Sequence, residues 1–452
     1  MPSRRLLGWT LAAFAVLAVL AAIRARDWSY GADTGTFVQI VLDALGPMHD
    51  GVEGTTHYRY HWSPTLVLLW PALAATHSLW VLQTILAAAT VACAPLLAAL
   101  AARRTSKRVA ERIGLVALLY PPLAAVGFGE FRDLGLLPVL ALAWRLALEA
   151  RAWTWVAVLA LLLAGLREDV CLELALTGAA FALAALARRD RAQSLAAGIS
   201  ALAGVVSAAI YAGLVLPRLG PWPPSHFYDY PFAHGPLTLL AAPLTHPLAF
   251  AAAILTVGRF TYVLEAFVPL LLVPFRSRLL LTALPGFAIV LLANSGLVWR
   301  MGMHYAALWI PWVLLAFAAA IATLRLQRRW AAIVLAVCAV WLVAFNPLHP
   351  LHYLRPSYHA LGDARSALAC VPQAATPATH DEWYTAVAAR RAGATVLGDV
   401  LPRTEYLVVA GDYPNDAFRK QVLPQVRRAV QSGEYRELCR YDAVTAYRRV
   451  GR

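Results

Sequence analysis

Apolar runs of about 20 residues recur along this chain, and short clusters of arginine and lysine separate them. A helix of about 20 apolar residues is long enough to cross the hydrocarbon core of a bilayer. Of the 452 residues, 60% are apolar and 14% are charged, whereas roughly a quarter of an ordinary soluble domain is charged. The sequence therefore predicts a polytopic α-helical membrane protein.

The positions of the basic clusters predict how the chain threads through the membrane. Lysine and arginine accumulate in cytoplasmic loops, so we place the clusters at residues 4–5, 103–108, 188–191, 276–278 and 325–329 in the cytoplasm. The formal net charge of +14 comes largely from such clusters. No basic stripe with interleaved aromatic residues occurs, so the predicted partner is the lipid bilayer and not nucleic acid.

This threading gives about 11 spans, with the N-terminus in the cytoplasm as a retained anchor and the C-terminus outside. The apolar segments 64–76 and 247–258 are short enough to be re-entrant or interfacial pieces, and they stay on the outer side. The predicted spans are residues 6–23, 78–101, 109–127, 134–149, 152–166, 170–187, 192–216, 259–275, 279–293, 304–324 and 329–345.

Five polar segments then lie on the outer face, at residues 24–63, 128–133, 167–169, 217–246 and 294–303. Residues 35–46 read as an interfacial helix, with an apolar stripe on one face and Thr36, Gln39 and Asp43 on the other. The predicted transmembrane domain, residues 1–346, therefore has outer-face loops and interfacial helices.

The composition changes near residue 347, which predicts a soluble extracytoplasmic α/β domain over residues 347–452. Segments 374–379, 406–409 and 443–449 read as strands, and segments 381–391 and 415–432 as helices. Cys370 and Cys439 lie in this domain. In an oxidising compartment they either form a disulfide or remain two buried thiols, and both readings stay open.

Motifs in the outer segments carry a family resemblance. Asp33, Gly35 and Gln39 follow the first span, and His61 and Pro64 precede the next apolar segment. Later segments contain Glu130-Phe131-Arg132, Arg167-Glu168-Asp169 and His304-Tyr305-Ala306.

Together with the outer tail, these motifs resemble the bacterial predicted membrane proteins of domain-of-unknown-function family 2079. That family usually has Asp-Phe-His where this chain has Glu130-Phe131-Arg132, so a role that needs imidazole there, such as metal binding, is in doubt.

That family is in turn similar to membrane-embedded glycosyltransferases of the GT-C type, which take a sugar from a polyprenyl-phosphate donor at the outer membrane face. The resemblance implies a GT-C-like hexosyl- or pentosyltransferase in the bacterial inner (plasma) membrane, with an envelope glycan, lipid or protein as acceptor. Asp33 is then the candidate general base. The resemblance identifies no metal ligands and no certain cofactor; the polyprenyl-phosphate-linked sugar is the expected donor substrate. It leaves the use of a divalent metal open.

Several polar residues are then expected to bind the donor phosphate or the acceptor. Arginine suits phosphate because its guanidinium makes two parallel hydrogen bonds. The expected binding residues are Gln39, His61, Glu130, Arg132, Arg167, Glu168, Asp169, Arg300 and His304.

Each of these residues also has a structural interpretation. Asp33 is placed to cap a helix, His61 to anchor the following segment, and residues 130–133 to form a solvated turn. The Arg167-Glu168-Asp169 triplet is the strongest functional signal, because it interrupts a long apolar stretch and ionisable groups at membrane depth are costly. Two alternative functions remain: transport of a small solute or lipid-linked intermediate, and a non-catalytic role as an envelope scaffold.

Overall fold

The structure, a computed structural model, describes residues 3–344, 360–391, 393–398, 401–416 and 418–450. The predicted domain boundary at residues 346 and 347 lies outside the described residues. The chain divides into two compact units. The first unit comprises Met1–Leu17, Tyr58–Thr65 and Ile85–Leu348, and the second comprises Ala18–His57, Leu66–Thr84 and His349–Arg452.

Helices dominate the described chain up to residue 344. Their bounds are α1 Arg4–Arg26, α2 Ala32–Leu42, α3 Trp70–Thr76, α4 Leu79–Ala101, α5 Lys107–Leu119, α6 Pro121–Phe128, α7 Leu137–Ala150, α8 Trp153–Ala164, α9 Glu168–Ala187, α10 Arg191–Ile210, α11 Leu216–Leu219, α12 Pro236–Thr245, α13 Pro247–Ile254, α14 Val257–Phe267, α15 Leu284–Leu291, α16 Ile310–Thr323 and α17 Gln327–Ala344.

Among the described residues, 5 helices are long and apolar enough to cross a membrane, or up to 7 if each of two bent pairs is one span. The helical membrane fold is therefore confirmed, but the count of eleven crossings is not. The five are Arg4–Arg26, Leu79–Ala101, Glu168–Ala187, Arg191–Leu219 and Gln327–Ala344. The pairs are α5 with α6, bent by 51°, and α12 with α13, bent by 117°.

Irregular helical turns explain much of this difference. Tight 3₁₀ turns at Arg278–Ala283 and His304–Leu308 lead into α15 and α16. A 3₁₀ turn rises about 2.0 Å per residue, more than the 1.5 Å of an α-helix. The predicted spans at residues 279–293 and 304–324 therefore contain only short regular helices, although their composition is apolar.

The polar segments of the first unit meet at one end of its helices. Ser63 contacts Asp133 and His61 contacts Glu168, which joins residues 58–63 to the segments before α7 and α9. The indole of Trp222 donates to the carbonyl of Tyr60 at 2.9 Å. Asn294 bonds to the backbone carbonyls of Phe227 and Asp229. The structure thus brings four of the five predicted outer segments together here. Of the fifth segment, residues 24–63, only residues 58–63 belong to this unit, and they lie at the same end.

The basic clusters meet at the other end of the same helices. Arg103 donates to the carbonyl of Glu149 at 3.0 Å, and Arg112 to that of Arg328 at 2.7 Å. The side chain of Arg151 pairs with Asp190 at 2.8 Å. Because α9 has 20 residues, its ends are about 30 Å apart, the thickness of a hydrocarbon core. The polar outer segments and the basic clusters therefore lie at opposite ends of these helices.

The second unit contains a small α/β region. Its five-stranded sheet has the order β4-β3-β5-β7-β6, with β3 parallel to β4 and β5 and the other pairs antiparallel. The elements are a short antiparallel pair β1 His49–Asp50 and β2 Thr55–Thr56, then α18 Leu361–Ala369, β3 Pro377–Thr379, α19 Asp381–Ala388, β4 Thr395–Val396, β5 Tyr406–Ala410, α20 Leu423–Gln431, β6 Tyr435–Tyr441 and β7 Val444–Arg449.

The core of this region lies between the sheet and its helices, where Trp383, Leu407, Val408 and Val444 are fully buried. The predicted strands near residues 377, 406 and 444 and the helix from residue 381 are confirmed. Strand β6 was not predicted, because most of its residues are exposed and its sequence has no apolar alternation. A disulfide joins Cys370 to Cys439, with Cα atoms 6.5 Å apart.

Candidate functional site

The candidate site of the first unit is built around the start of α9. Arg167 has an extended backbone and stands as the N-cap of α9, with Glu168 and Asp169 in the first helical turn. Carboxylates are favoured in that turn because the backbone N–H groups there point toward them. The three charged residues therefore lie together at the N-terminus of α9, directly after an apolar segment.

Glu168 is held by the segment that follows residue 60. One carboxylate oxygen lies 2.8 Å from Nδ1 of His61, and the other accepts the backbone N–H of Trp62 at 2.9 Å. The indole of Trp62 donates to Ser207 at 2.7 Å and stacks on Tyr211. His61 therefore does more than anchor the following helix, because it joins two separate segments at a carboxylate.

Asp133 is fully buried beside this pair. Its carboxylate accepts the hydroxyl of Ser63 at 2.6 Å and the backbone N–H of Leu134 at 2.7 Å. The interpretation of residues 130–133 as a solvated turn is wrong for Asp133, since no part of it is exposed. Glu130 and Arg132 are half-buried.

The guanidinium of Arg167 lies among three carboxylates. Its nitrogens are 3.3 Å from Asp169, 3.8 Å from Glu168 and 3.9 Å from Asp133. Its Cζ lies 5.4 Å from the ring centroid of Tyr305. Only 5% of the Arg167 side chain is exposed. A buried charge in such a site needs compensation, and Arg167 supplies it to all three acids.

Two histidines complete the cluster. Burial, with Arg167 close by, lowers the pKa of His61 to about 3, so its Nδ1 donates to Glu168 as a neutral ring. His304 is 8% exposed, and the charges of Arg132 and Arg167 act on its ring. Nε2 of His304 is buried and has no hydrogen-bond partner among the described residues. This nitrogen can form a hydrogen bond with a ligand.

The structure thus gathers His61, Arg132, Arg167 and His304, with Glu168 and Asp169, in one place. Arg300 is exposed. Sequence reasoning missed Ser63 and Asp133 as members of the site. The available signal was their position, since each is adjacent to a motif residue that was chosen.

The other sequence-predicted residues, Asp33 and Gln39, lie in the second unit. Gly31 is the N-cap of α2, so Asp33 is its second residue and the capping interpretation is wrong. The amide of Gln39 accepts from the backbone N–H of Gly51 at 3.0 Å and from the hydroxyl of Tyr384 at 2.6 Å. It donates to the carbonyl of Ala394 at 2.7 Å.

These bonds attach α2 to the C-terminal α/β region. The hydroxyl of Thr385 donates to the carbonyl of Gly31 at 2.5 Å and accepts the N–H of Gly35 at 3.1 Å. The polar face of α2, predicted to face water, is therefore packed against α19. Helix α2 also begins three residues earlier than predicted and ends at Leu42. In the Asp-x-Gly-x-x-x-Gln motif, the glycine and the glutamine are explained by this packing, whereas Asp33 is not.

Replacing Gly35 by alanine is expected to destabilise the protein by about 1–3 kcal/mol through overpacking. A Cβ at this position would lie 2.8 Å from Cα of Thr385 and from the ring of Tyr384. Thermal unfolding of the purified chain in detergent measures the change. Gly362→Ala is the matched control, because a Cβ there meets nothing within 4 Å. Equal melting temperatures for the two variants would contradict the close packing.

Within the described ranges, no three His, Cys, Asp or Glu side chains come together as ligands for a metal ion.

Comparisons with known proteins give a family and a fold. Residues 29–397 match the model of the family described as "Predicted membrane protein (DUF2079)". No curated protein matches the chain. A crystal structure of ArnT from Cupriavidus metallidurans bound to undecaprenyl phosphate is similar, with a TM-score of 0.60, 12% identity and coverage of 98% of each chain. The apo structure of that ArnT gives a TM-score of 0.56 at 13% identity, with the same coverage. At this identity, the likeness shows the fold alone.

Proposed function

Since the chain belongs to the predicted membrane protein family DUF2079 and has an ArnT-like fold, we propose that it transfers a sugar from a polyprenyl-phosphate donor to an acceptor in the cell envelope. The observation that carries the proposal is the likeness over 98% of both chains to a protein bound to undecaprenyl phosphate. In the first unit's cluster, Arg132 and Nε2 of His304 are the groups that a lipid phosphate would contact, since Arg167 is held by three carboxylates.

The cations of the first unit support donor binding. Arg132 and Arg167 both act electrostatically on His304, whose Nε2 is buried and available. A phosphate at headgroup height would take hydrogen bonds from guanidinium groups, which are also the groups that stabilise a departing phosphate. Asp133, Glu168 and Asp169 hold Arg167 in position, so we assign them to positioning. Glu130 and Arg300 we assign to the approach of the donor or acceptor.

In the proposed reaction, an acceptor hydroxyl attacks the anomeric carbon of the sugar. The bond between that carbon and the phosphate oxygen breaks, and polyprenyl phosphate leaves with the bonding electrons. Asp33 accepts the hydroxyl proton as general base. Asp33 lies in the first turn of α2. Gln39 positions α2 through its three bonds.

We further propose that the reaction takes place at the outer face of a bacterial inner membrane. Helix α2 and the C-terminal α/β region share hydrogen bonds, so they lie on the same side and an even number of crossings separates them. The threading with eleven spans has ten crossings between them, an N-terminus in the cytoplasm and a C-terminal domain outside. The acceptor would be an envelope glycan, lipid or protein.

Deleting the gene in its native host should change two pools of molecules. Because the donor is no longer consumed, polyprenyl-phosphate sugars accumulate in the membrane, and one envelope glycan, lipid or protein loses a sugar. Mass spectrometry of lipid extracts and of envelope fractions measures both, with the wild-type gene restored as the control.

The alternative functions give different results in the same experiment. If the protein is a transporter, the deletion changes the distribution of a solute or lipid across the membrane. Supplying that cargo from outside would then leave the envelope with its sugars. A scaffold would leave the donor pool unchanged. Either result would refute sugar transfer by this protein.

A further inference from the structure

A second cluster of arginines lines a cavity at the end of the first unit opposite to the candidate site. The cavity has a volume of about 460 Å³. We call it the arginine pocket, and its lining is Arg103, Arg104, Arg145, Glu149, Phe181, Ala184, Arg188, Gln193 and Leu279. We propose that the arginine pocket binds the phosphate group of an anionic phospholipid.

Positive charge is in excess in the arginine pocket. Four guanidinium groups line it together with a single carboxylate, that of Glu149. This carboxylate is shared by Arg145 at 2.5 Å, Arg104 at 3.2 Å and Arg103 at 3.8 Å. One carboxylate balances one of these cations, so an anionic ligand would be attracted by the remaining charge of three.

Arg145 shows that the pocket is more than a surface patch. Its side chain is 6% exposed, and its Cζ lies 4.5 Å from the ring centroid of Phe181. Its Nε is buried and has no hydrogen-bond partner among the described residues. A buried donor without a partner costs free energy, and a phosphate oxygen in the pocket would satisfy it.

The positions of the helix ends give a simpler explanation for some of these arginines. Helices α4, α7 and α9 all end here, and cations are favoured at helix C-termini. Arg103 follows this rule, because it bonds to the carbonyl of Glu149 at 3.0 Å. Exposed side chains would be sufficient for that purpose. The rule accounts neither for the burial of Arg145 nor for a cavity beside it.

The apolar part of the lining indicates a lipid as the source of the phosphate. Phe181, Ala184 and Leu279 are apolar residues of the lining, and Phe181 and Ala184 lie in the last two turns of α9, a candidate membrane span. A phospholipid whose phosphate lies at this height has acyl chains that contact the apolar residues of the helices. Free phosphate has no group that contacts them. Basic pockets between membrane helices bind anionic headgroups in this way.

The test compares two variants of the full chain that each lose two positive charges. Arg103→Gln/Arg104→Gln removes half-exposed groups from the pocket, and Arg4→Gln/Arg5→Gln removes exposed groups that do not line it. Binding of phosphatidylglycerol is measured by native mass spectrometry of detergent-purified protein, with phosphatidylcholine and inorganic phosphate as the comparison ligands. Thermal unfolding checks that both variants are folded.

We expect the pocket variant to bind phosphatidylglycerol about 30-fold more weakly than the wild type, because two arginines near an anionic lipid are removed. The control variant should keep wild-type affinity. Equal losses in the two variants would mean attraction to net charge alone, and no loss in the pocket variant would mean another site; both overturn the proposal. Binding of inorganic phosphate as tight as that of the lipid would overturn the assignment to a phospholipid.

Discussion

Asp33→Asn is expected to slow the proposed sugar transfer by about 10²–10⁴-fold if Asp33 is its general base, since this is the usual contribution of such a group. Asparagine has nearly the same shape as aspartate but does not accept the proton of an acceptor hydroxyl. Because Gly31 is the N-cap of α2, the substitution removes no side-chain cap, and the fold should persist. The measurement is the turnover of labelled polyprenyl-phosphate sugars in membrane vesicles from the native host.

The control for this variant is Asp27→Asn, which makes the same chemical change just after α1. Asp27 pairs with Arg26, and the two side chains are 17% and 72% exposed; pairs with an exposed partner contribute about 0–1 kcal/mol. The control should therefore keep full turnover. If Asp33→Asn kept normal turnover at a normal protein level, Asp33 would not be the base.

Arg167→Gln is expected to destabilise the protein by about 3–5 kcal/mol, since removal of one partner of a buried ion pair leaves the opposite charges uncompensated. The carboxylates concerned are those of Asp133, Glu168 and Asp169, within 3.9 Å of the guanidinium. Thermal and denaturant unfolding in detergent measure the loss. Arg151→Gln is the control, because Arg151 is 62% exposed in its pair with Asp190.

A second variant keeps this prediction testable if Arg167→Gln does not fold. Adding Asp169→Asn to Arg167→Gln removes one of the uncompensated charges and should restore part of the stability, in the manner of a double-mutant cycle. If the double variant were as unstable as the sum of the two single variants, the two side chains would not interact, contrary to their 3.3 Å separation.

The location of the first unit's cluster could be predicted from the sequence, but its composition only in part. Arg167, Glu168 and Asp169 interrupt an apolar segment, and the cost of burying charge makes such an interruption visible without a structure. Asp133 and Ser63 have no such signal. Their pairing depends on two segments 70 residues apart meeting in space, which hydropathy and loop charge do not determine.

Helix α2 shows a second limit of the sequence pattern. An apolar stripe opposite Thr36, Gln39 and Asp43 predicts a helix with one face in water. The structure instead buries Gln39 to 2% exposure against α19. Periodicity identifies which residues share a face, but not what covers that face. The prediction of the membrane crossings is limited in the same way, because apolar content does not reveal where a helix tightens into a 3₁₀ turn.

The attachment of α2 to the C-terminal region also has a consequence for biogenesis. The partners Gly35 and Thr385 are 350 residues apart, so at about 5–20 residues per second a ribosome needs roughly 20–70 s to synthesise the intervening chain. During that time α2 has emerged without the residues that satisfy Gln39. A premature stop anywhere before α19 would therefore leave Gln39 without its partners Tyr384 and Ala394, and the uncovered face of α2 would make the fragment a substrate for chaperones and membrane proteases.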